Sequence, residues 1–545
     1  MKRNSLTTAV VAGIAGTVGI ANLVNAATLN PDGLGQVLVY PYYTVNKPNN
    51  GSSANLVTQF SVINTTDQGK AVKVRFLEGR NSREVRDFNL YLSPYDVWSA
   101  AVFKLPAEEQ ANLVTEDTSC TVPFIRTATV GGSGGAIGQL PDGRKFVRFT
   151  NQLFASDSNY GAAGGPGRSL ANTREGHFEL IEMGVVGNNA GQNGGLPQNS
   201  IAAITHITTT GVPANCQKVL NAWNAYPTPG YWTADDTVDM SAASGGLFGS
   251  ASIVDVDNGT MLAYSPDAVD GFYAAGGFFH SAPGDTRPSL ENVGFPNTTA
   301  TAYVFRNGQV ITATYGAAPS RPIDAFSALF TYDAIFNEFV LGGIAAASTD
   351  WAVTFPTKGF YVDRPYRLGA TGTVRAPFVE LFTSVGSRVR VDLTPFDREE
   401  RGPGACTGSD AGNPACDICF SPCENPEELL PVLRYETQII SFQDADDFVA
   451  NRTSPVLGSA LAENVDVRAD NLSAGWMQIG LTPTDEPHAL YTSAEGVVFY
   501  GLPVTGFAAT NFVNNNVAGK LANYAGLWKH KGSRSCAATA TAACS

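Results

Sequence analysis

Between residues 55 and 104 the chain alternates apolar and polar positions with a period of two. Val72, Val74 and Phe76 alternate with Lys73 and Arg75, and Phe88, Leu90 and Leu92 alternate with Asn89 and Tyr91. Successive side chains of a strand point to opposite faces, so this pattern predicts half-buried strands with one face toward a core. Asp67-Gln68-Gly69 and Ser93-Pro94 supply turns between them. Several such strands in succession predict an antiparallel sandwich of immunoglobulin-like type over residues 27–130.

Two hairpins follow the same logic. Ile253–Asp257 and Thr260–Tyr264 flank Asn258-Gly259, and Thr301–Arg306 and Gln309–Tyr315 flank Asn307-Gly308. Asn-Gly tolerates the positive φ angles of a type I′ turn, whose twist matches paired strands. Further strands are expected at His177–Val186, Trp351–Phe355, Arg375–Phe382, Arg388–Leu393, Arg434–Phe442 and Gly496–Tyr500. Helix signals are few. Ala214–Ala225 is the best, with Pro213 before it and Val219, Leu220 and Trp223 on one face. Glycine-rich stretches at 131–143, 161–167 and 187–195 read as long loops or linkers. The fold class is therefore mainly β: antiparallel sandwiches with long Gly-rich loops and few short helices.

The first residues change the cellular picture. Met1-Lys2-Arg3-Asn4 is positive, Ala9–Ala21 is apolar apart from Thr17, and Val24 and Ala26 are small residues at −3 and −1 of a cleavage site. This predicts a secretory signal peptide over 1–26, cleaved after Ala26. About 20 apolar residues are needed to span a bilayer, and no stretch reaches that, so no membrane span is expected. The remaining organisation is expected as a β-sandwich at 27–130, a β-rich region at 131–400, a Cys-rich insertion at 401–427, a β-rich region at 428–531 and a disulfide-closed tail at 532–545.

Composition narrows the partners. The 545 residues carry 35 basic and 49 acidic side chains, a net charge of −14. Nucleic-acid binding rests on Lys and Arg neutralising phosphates, so that partner is not expected. An even count of eight cysteines in an exported chain predicts disulfides. Cys536–Cys544 and Cys120–Cys216 are expected as pairs, and Cys406, Cys416, Cys419 and Cys423 as two more whose connectivity stays open. The Cys406–Cys423 cluster also has the look of a zinc or iron–sulfur site, a reading that belongs to a reducing compartment.

Longer strings now carry a resemblance. ATLNPDGLGQVLVYPYYTVN (27–46), VKVRFLEGRNSREVRDFNLYLSPYDVW (72–98), TREGHFELIEMG (173–184) and TDWAVTFPTKGFYVD (349–363) resemble a family of predicted cell-surface proteins of Gram-negative bacteria. The resemblance implies secretion to the bacterial cell surface and a non-enzymatic role. It transfers no site residue.

Candidate chemistry is sparse. Gly131-Gly132-Ser133-Gly134-Gly135 matches the letters of a hydrolase nucleophile elbow, but the glycines that follow cannot hold its strained turn. Glu175, His177, Glu179 and Glu182 crowd one strand, with His206 and His280 as the available third ligands for a metal; a solvated strand face is the expected reading. Asp255, Asp257, Asp444, Asp446 and Asp447 form acidic knots of the kind calcium uses, with Asp235, Asp236 and Asp239 next. Trp223, Tyr226, Tyr231 and Trp232 surround a Pro-Thr-Pro-Gly turn and could stack on sugars, or pin the loop to its own core. These features predict an exported structural or assembly protein of surface-layer or extracellular-matrix type, self-associating with calcium as the one expected ion. An adhesin binding surface polysaccharide is the alternative. A secreted carboxylate hydrolase is the third, since paired carboxylates leave no sequence signature.

Overall fold

The computed structural model describes residues 26–132, 135–343, 346–398, 420–421, 431–442, 453–465, 473–538 and 544. Residues 1–25, Ser133, Asp444, Asp446, Asp447, Cys406, Cys416, Cys419 and Cys423 lie outside the described residues. The expected signal peptide, the acidic knot at 444–447 and the cysteine cluster fall among them.

The protein is mainly β. Residues up to 315 supply β1 (Ala27–Leu29), β2 (Val37–Thr44), β3 (Val57–Asn64), β4 (Gly69–Glu78), β5 (Glu84–Leu92), β6 (Val97–Phe103), β7 (Asn112–Val114), β8 (Cys120–Val122), β9 (Ile137–Gln139), β10 (Lys145–Arg148), β11 (Glu175–Val186), β12 (Leu247–Asp255), β13 (Thr260–Tyr264), β14 (Asp267–Asp270), β15 (Ala300–Arg306) and β16 (Gln309–Tyr315). A ten-stranded sheet has the order β16-β15-β1-β14-β2-β11-β4-β5-β8, with Met240–Ser241 pairing onto β11. A seven-stranded sheet has the order β13-β12-β3-β6-β7-β10-β9. Their inner faces meet through aromatic rings: Phe60 of β3 lies 4.9 Å from Phe178 of β11 and 5.6 Å from Phe76 of β4, and Trp98 of β6 lies 5.6 Å from Phe88 of β5.

The second half repeats the plan on a smaller scale with β17 (Ala334–Val340), β18 (Ala347–Thr354), β19 (Asp392–Asp397), β20 (Phe420–Ser421), β21 (Thr437–Phe442), β22 (Ala462–Val465), β23 (Ala474–Gly480), β24 (Thr505–Val517), β25 (Lys520–Lys529) and β26 (Lys531–Ser533). A six-stranded sheet, β20-β22-β21-β18-β24-β25, packs on a four-stranded one, β19-β23-β17-β26. Phe339 stacks on Phe442 between them at 5.0 Å. One buried apolar cluster runs from Ala27 to Cys536, joining both halves through contacts such as Tyr264 on Phe507. The helices are short: α1 (Ser200–Ile204), α2 (Cys216–Ala222), α3 (Tyr231–Ala234), α4 (Ile323–Phe330) and α5 (Gly359–Val362).

Several expectations change. An immunoglobulin-like N-terminal unit is not confirmed, because strands of 27–130 pair with strands from 137–148, 175–186, 247–255 and 267–270 in two shared sheets. The Asn307-Gly308 turn has φ of 48° and 78°, as a type I′ turn requires. The other Asn-Gly pair does not form that turn. Asp255 pairs with Thr260, so the loop has four residues, and only Gly259 has positive φ. The Asn258 amide is drawn inward instead, bonding the Asp255 carboxylate at 2.8 Å. Arg375–Phe382 is not a strand: Arg375, Phe378 and Phe382 donate their N–H groups to Tyr361, Arg375 and Val362 in an irregular loop. The expected helix at 214–225 shrinks to α2, capped by Asn215, whose side chain accepts from Lys218 N.

Two disulfides are present as expected. Cys120–Cys216 ties β8 to α2, and Cys536–Cys544 closes the tail. Among the described residues no helix is long and apolar enough to cross a membrane.

Candidate functional site

The two faces of the large sandwich that point away from its core differ in an unexpected way. On the ten-stranded sheet the outward row is charged. Register places Glu179 of β11 beside Arg75 of β4 and Arg75 beside Asp87 of β5, with Ile181, Lys73 and Asn89 in the next row. The alternation in β4 predicted that Lys73 and Arg75 meet water. Both are buried instead, and so are Glu175, His177, Glu179 and Glu182, which corrects the solvated-face reading of that strand.

Burial is sustained by pairing. Arg75 binds two carboxylates at once, Glu84 at 2.9 Å and Glu179 at 3.0 Å. Lys73 reaches Asp87 at 3.0 Å and the carbonyl of Ala282 at 2.9 Å. Lys70 and Glu182 meet at 2.8 Å, and Glu182 also accepts from the N–H groups of Ser244 and Gly245. Glu175 accepts from Tyr42, Asn46, Ser459 and Ala460, holding a segment of the second half against the first. Burial pushes the Glu84 carboxyl up to about 7 against the pull of Arg75. Burial, reinforced by Arg75 and Arg367, drives His177 down to about 3, so the ring is neutral. Neither of its nitrogens has a hydrogen-bond partner. A hydrolytic carboxylate pair must reach solvent and substrate. Here the Arg75 guanidinium occupies both carboxylates of a closed array, so the cluster holds the fold together.

The outward face of the seven-stranded sheet is the reverse. Gln59, Ser61 and Ile63 of β3 stand beside Ala101, Ser99 and Val97 of β6 on one side and Ser252, Ser250 and Phe248 of β12 on the other. Ala263 of β13 extends the Gln59 row beside Ser252, and Met261 stands beside Val254 in the next one. Four adjacent strands thus present a solvent face with no charged side chain. Val97, Phe248 and Met261 are exposed on it. The row Ser250–Ser61–Ser99 is low, with a 3.1 Å hydroxyl contact between Ser61 and Ser250. Small side chains flanked by larger ones leave a shallow groove of about 580 Å³, closed at one rim by Glu116 and Arg144, 3.5 Å apart. Strand alternation was the signal for this face. Its polar positions are hydroxyls and amides rather than charges, so no chemical motif marked it.

The residues singled out by sequence lie elsewhere and apart. The Asp255 carboxylate accepts from Asn50, Ser52 and Asn258, while Asp257 accepts from the N–H groups of Ser53 and Ala54. Both staple the 50–54 loop to the β12–β13 turn. Asp235 and Asp239 do the same for the glycine-rich loop at 187–200, accepting from Gly195, Asn189 and Ser200 among others. Among the described residues no group of three His, Cys, Asp or Glu side chains is placed to hold a metal ion. His206 contacts Ser93 and Thr118, and His280 contacts Tyr91 and the Asp236 carbonyl, both far in register from His177.

The aromatic loop is mostly turned inward. Trp232 is buried, stacks on Tyr91 at 5.1 Å and donates to the Val238 carbonyl. Trp223 donates to the Tyr91 hydroxyl at 2.9 Å, and Tyr231 meets Ser200. Tyr226 alone is exposed, at 87%. Of the four rings, three pin the loop to its own core and one is free for a ligand.

No protein-family model, curated protein or solved structure matches the chain.

Proposed function

We propose that this is an exported structural protein of a Gram-negative bacterial surface that packs against copies of itself through its charge-free sheet face. The single observation that carries the reading is the inversion described above. A chain with net charge −14 repels its own copies at close range, and that repulsion is weakest where no charge faces out. The groove lies in that area, and Val97, Phe248 and Met261 are exposed on the same face. Two disulfides fit an oxidising compartment, and the cell-surface resemblance of the long strings points the same way. Calcium enters as an aid, since a divalent cation shared between carboxylates of two copies would offset the repulsion of a net charge of −14.

Light scattering at fixed ionic strength, with and without calcium, tests this. Mass should rise with protein concentration and rise further with calcium. A monomer that persists at high concentration with calcium present contradicts it. A second reading, an adhesin or glycan binder, is favoured by the groove itself, whose Ser61, Ser99, Ser250 and Gln59 offer hydroxyl and amide groups to a sugar. Polysaccharide binding by a strictly monomeric protein would select it.

A further inference from the structure

Strand β25 (Lys520–Lys529) ends the six-stranded sheet. Its main-chain polarity follows from one bond and the register. His530 N–H donates to the Gly506 carbonyl at 3.1 Å, and Ala508 faces Trp528, Thr510 faces Gly526 and Phe512 faces Tyr524. Antiparallel ladders alternate, so Trp528, Gly526 and Tyr524 exchange their main-chain bonds with β24. Asn523, Ala525, Leu527 and Lys529 then turn their N–H and C=O groups away from the sheet. Among the described residues none of these groups finds a partner. The side chains on that register are meanwhile held from one face. Leu521 lies beside Gly259, Asn523 donates to the Asn258 carbonyl at 2.8 Å, and Lys529 pairs with Asp267. The strand is fixed in place, and among the described residues its edge is open.

Folded proteins usually blunt such an edge with a proline, a bulge or an inward charge; here one register shift lies opposite Leu521–Asn523 and Lys529 turns in to Asp267, which leaves 523 to 528 regular. From 521 to 528 this one reads Leu-Ala-Asn-Tyr-Ala-Gly-Leu-Trp, with lysines only at its two ends, and Leu521, Tyr524 and Trp528 are exposed. We propose that β25 is a self-association edge that pairs antiparallel with β25 of a second copy about a two-fold axis through Ala525. This deepens the assembly reading above and rests on it. The partner is argued from fit. A two-fold at Ala525 sets Asn523 opposite Leu527 and Ala525 opposite itself as hydrogen-bonded pairs. The intervening pairs set Tyr524 opposite Gly526 and Trp528 opposite Ala522, each large ring against a small residue. Aromatic rings cover cross-strand glycines favourably. No lysine faces a lysine, because Lys529 falls opposite Leu521 and Lys520 opposite His530. The strand carries no acidic side chain and Lys529 is already paired with Asp267, so little unpaired charge meets charge across the two-fold. An isologous edge joined to a second contact through the neutral sheet face would let copies propagate rather than stop at a pair.

Cysteine cross-linking tests the register directly. Paired residues of a hydrogen-bonded antiparallel ladder have Cα atoms about 5.5 Å apart, a span that a disulfide accepts. Under mild oxidation A525C should yield a covalent dimer, while L527C, which faces Asn523 of the other copy, should not. Y524E, on an exposed side chain, should lower the dimer yield of A525C at least tenfold with an unchanged circular-dichroism spectrum. If A525C and L527C cross-link equally or not at all while wild-type protein still assembles in light scattering, the edge inference falls and the assembly reading stands. If A525C cross-links but wild-type protein never exceeds a dimer, the edge is right and the extended layer is wrong.

Discussion

The two sheets of the large sandwich invert the usual distribution of charge. β4 and β3 both alternate, but the outward polar positions of β4 are Lys73 and Arg75, both buried, whereas those of β3 are Gln59 and Ser61, facing solvent. Burying charge is expensive unless it is paired, and a charged outer face usually remains outside for that reason. Here the second half of the chain and the segment around Ala282 cover the charged face and supply partners to it. Among the described residues nothing covers the neutral face. The difference teaches that this fold keeps charge on a covered face where partners meet it, and carries none on the four strands of the open face.

The largest expected effect comes from breaking the charged side. Arg75→Met strands Glu84 and Glu179 together in the interior, and removing one partner of a buried ionic array costs roughly 3–5 kcal/mol. Chemical denaturation at pH 7 should show this loss. It should shrink at pH 4, where the stranded carboxyls take up protons and the buried charge disappears. A loss below about 1 kcal/mol at pH 7 would mean that the array is solvated after all.

A middle-sized effect concerns Glu436, which accepts from Gly359 N–H next to Lys358 and Arg367. Burial pushes its carboxyl up to about 7. A raised carboxyl holds its proton in the folded state after the unfolded chain has released it. Its contribution is therefore full below about pH 4.5 and lost as pH rises through about 7, by up to about 3 kcal/mol. Glu436→Gln should remove that slope, so the stability of the wild type relative to the variant should fall between pH 5 and 7. Parallel curves across that window would contradict the assignment.

The smallest effect belongs to the neutral side. Ser61→Lys or Ser99→Lys should change stability by no more than about 0.5 kcal/mol, as exposed positions away from special features do. Thermal melts of the two variants check it. A large loss would show that the face is buried in the protein as it exists.

Much of the strand layout was legible. Alternation located β4 and β5, the Asn307-Gly308 hairpin formed as its dipeptide demands, and cysteine spacing anticipated both disulfides seen here. What alternation could not convey is which face has a cover. Lys73 and Arg75 alternate with Val72 and Val74 whether water or Asp87 and Glu179 lies beyond them, because partners 14 and 104 residues distant leave no mark on a local pattern. Asn258-Gly259 misled for a related reason: Asn50 and Asp255 compete for the Asn258 amide, and that long-range bond overrides the local turn preference. The candidate site was the least legible part. Serines and alanines on four separate strands make a surface only once the register has lined them up.

Sedimentation velocity over a concentration series, comparing the wild type with Ser250→Lys in the middle of the charge-free face, tests the central claim most directly. The account predicts that the wild type shifts to larger species as concentration rises, and that the variant, equally folded, remains near monomer mass several-fold further up the series. Identical concentration profiles for the two proteins would show that the neutral face of the seven-stranded sheet is not where copies of this chain meet.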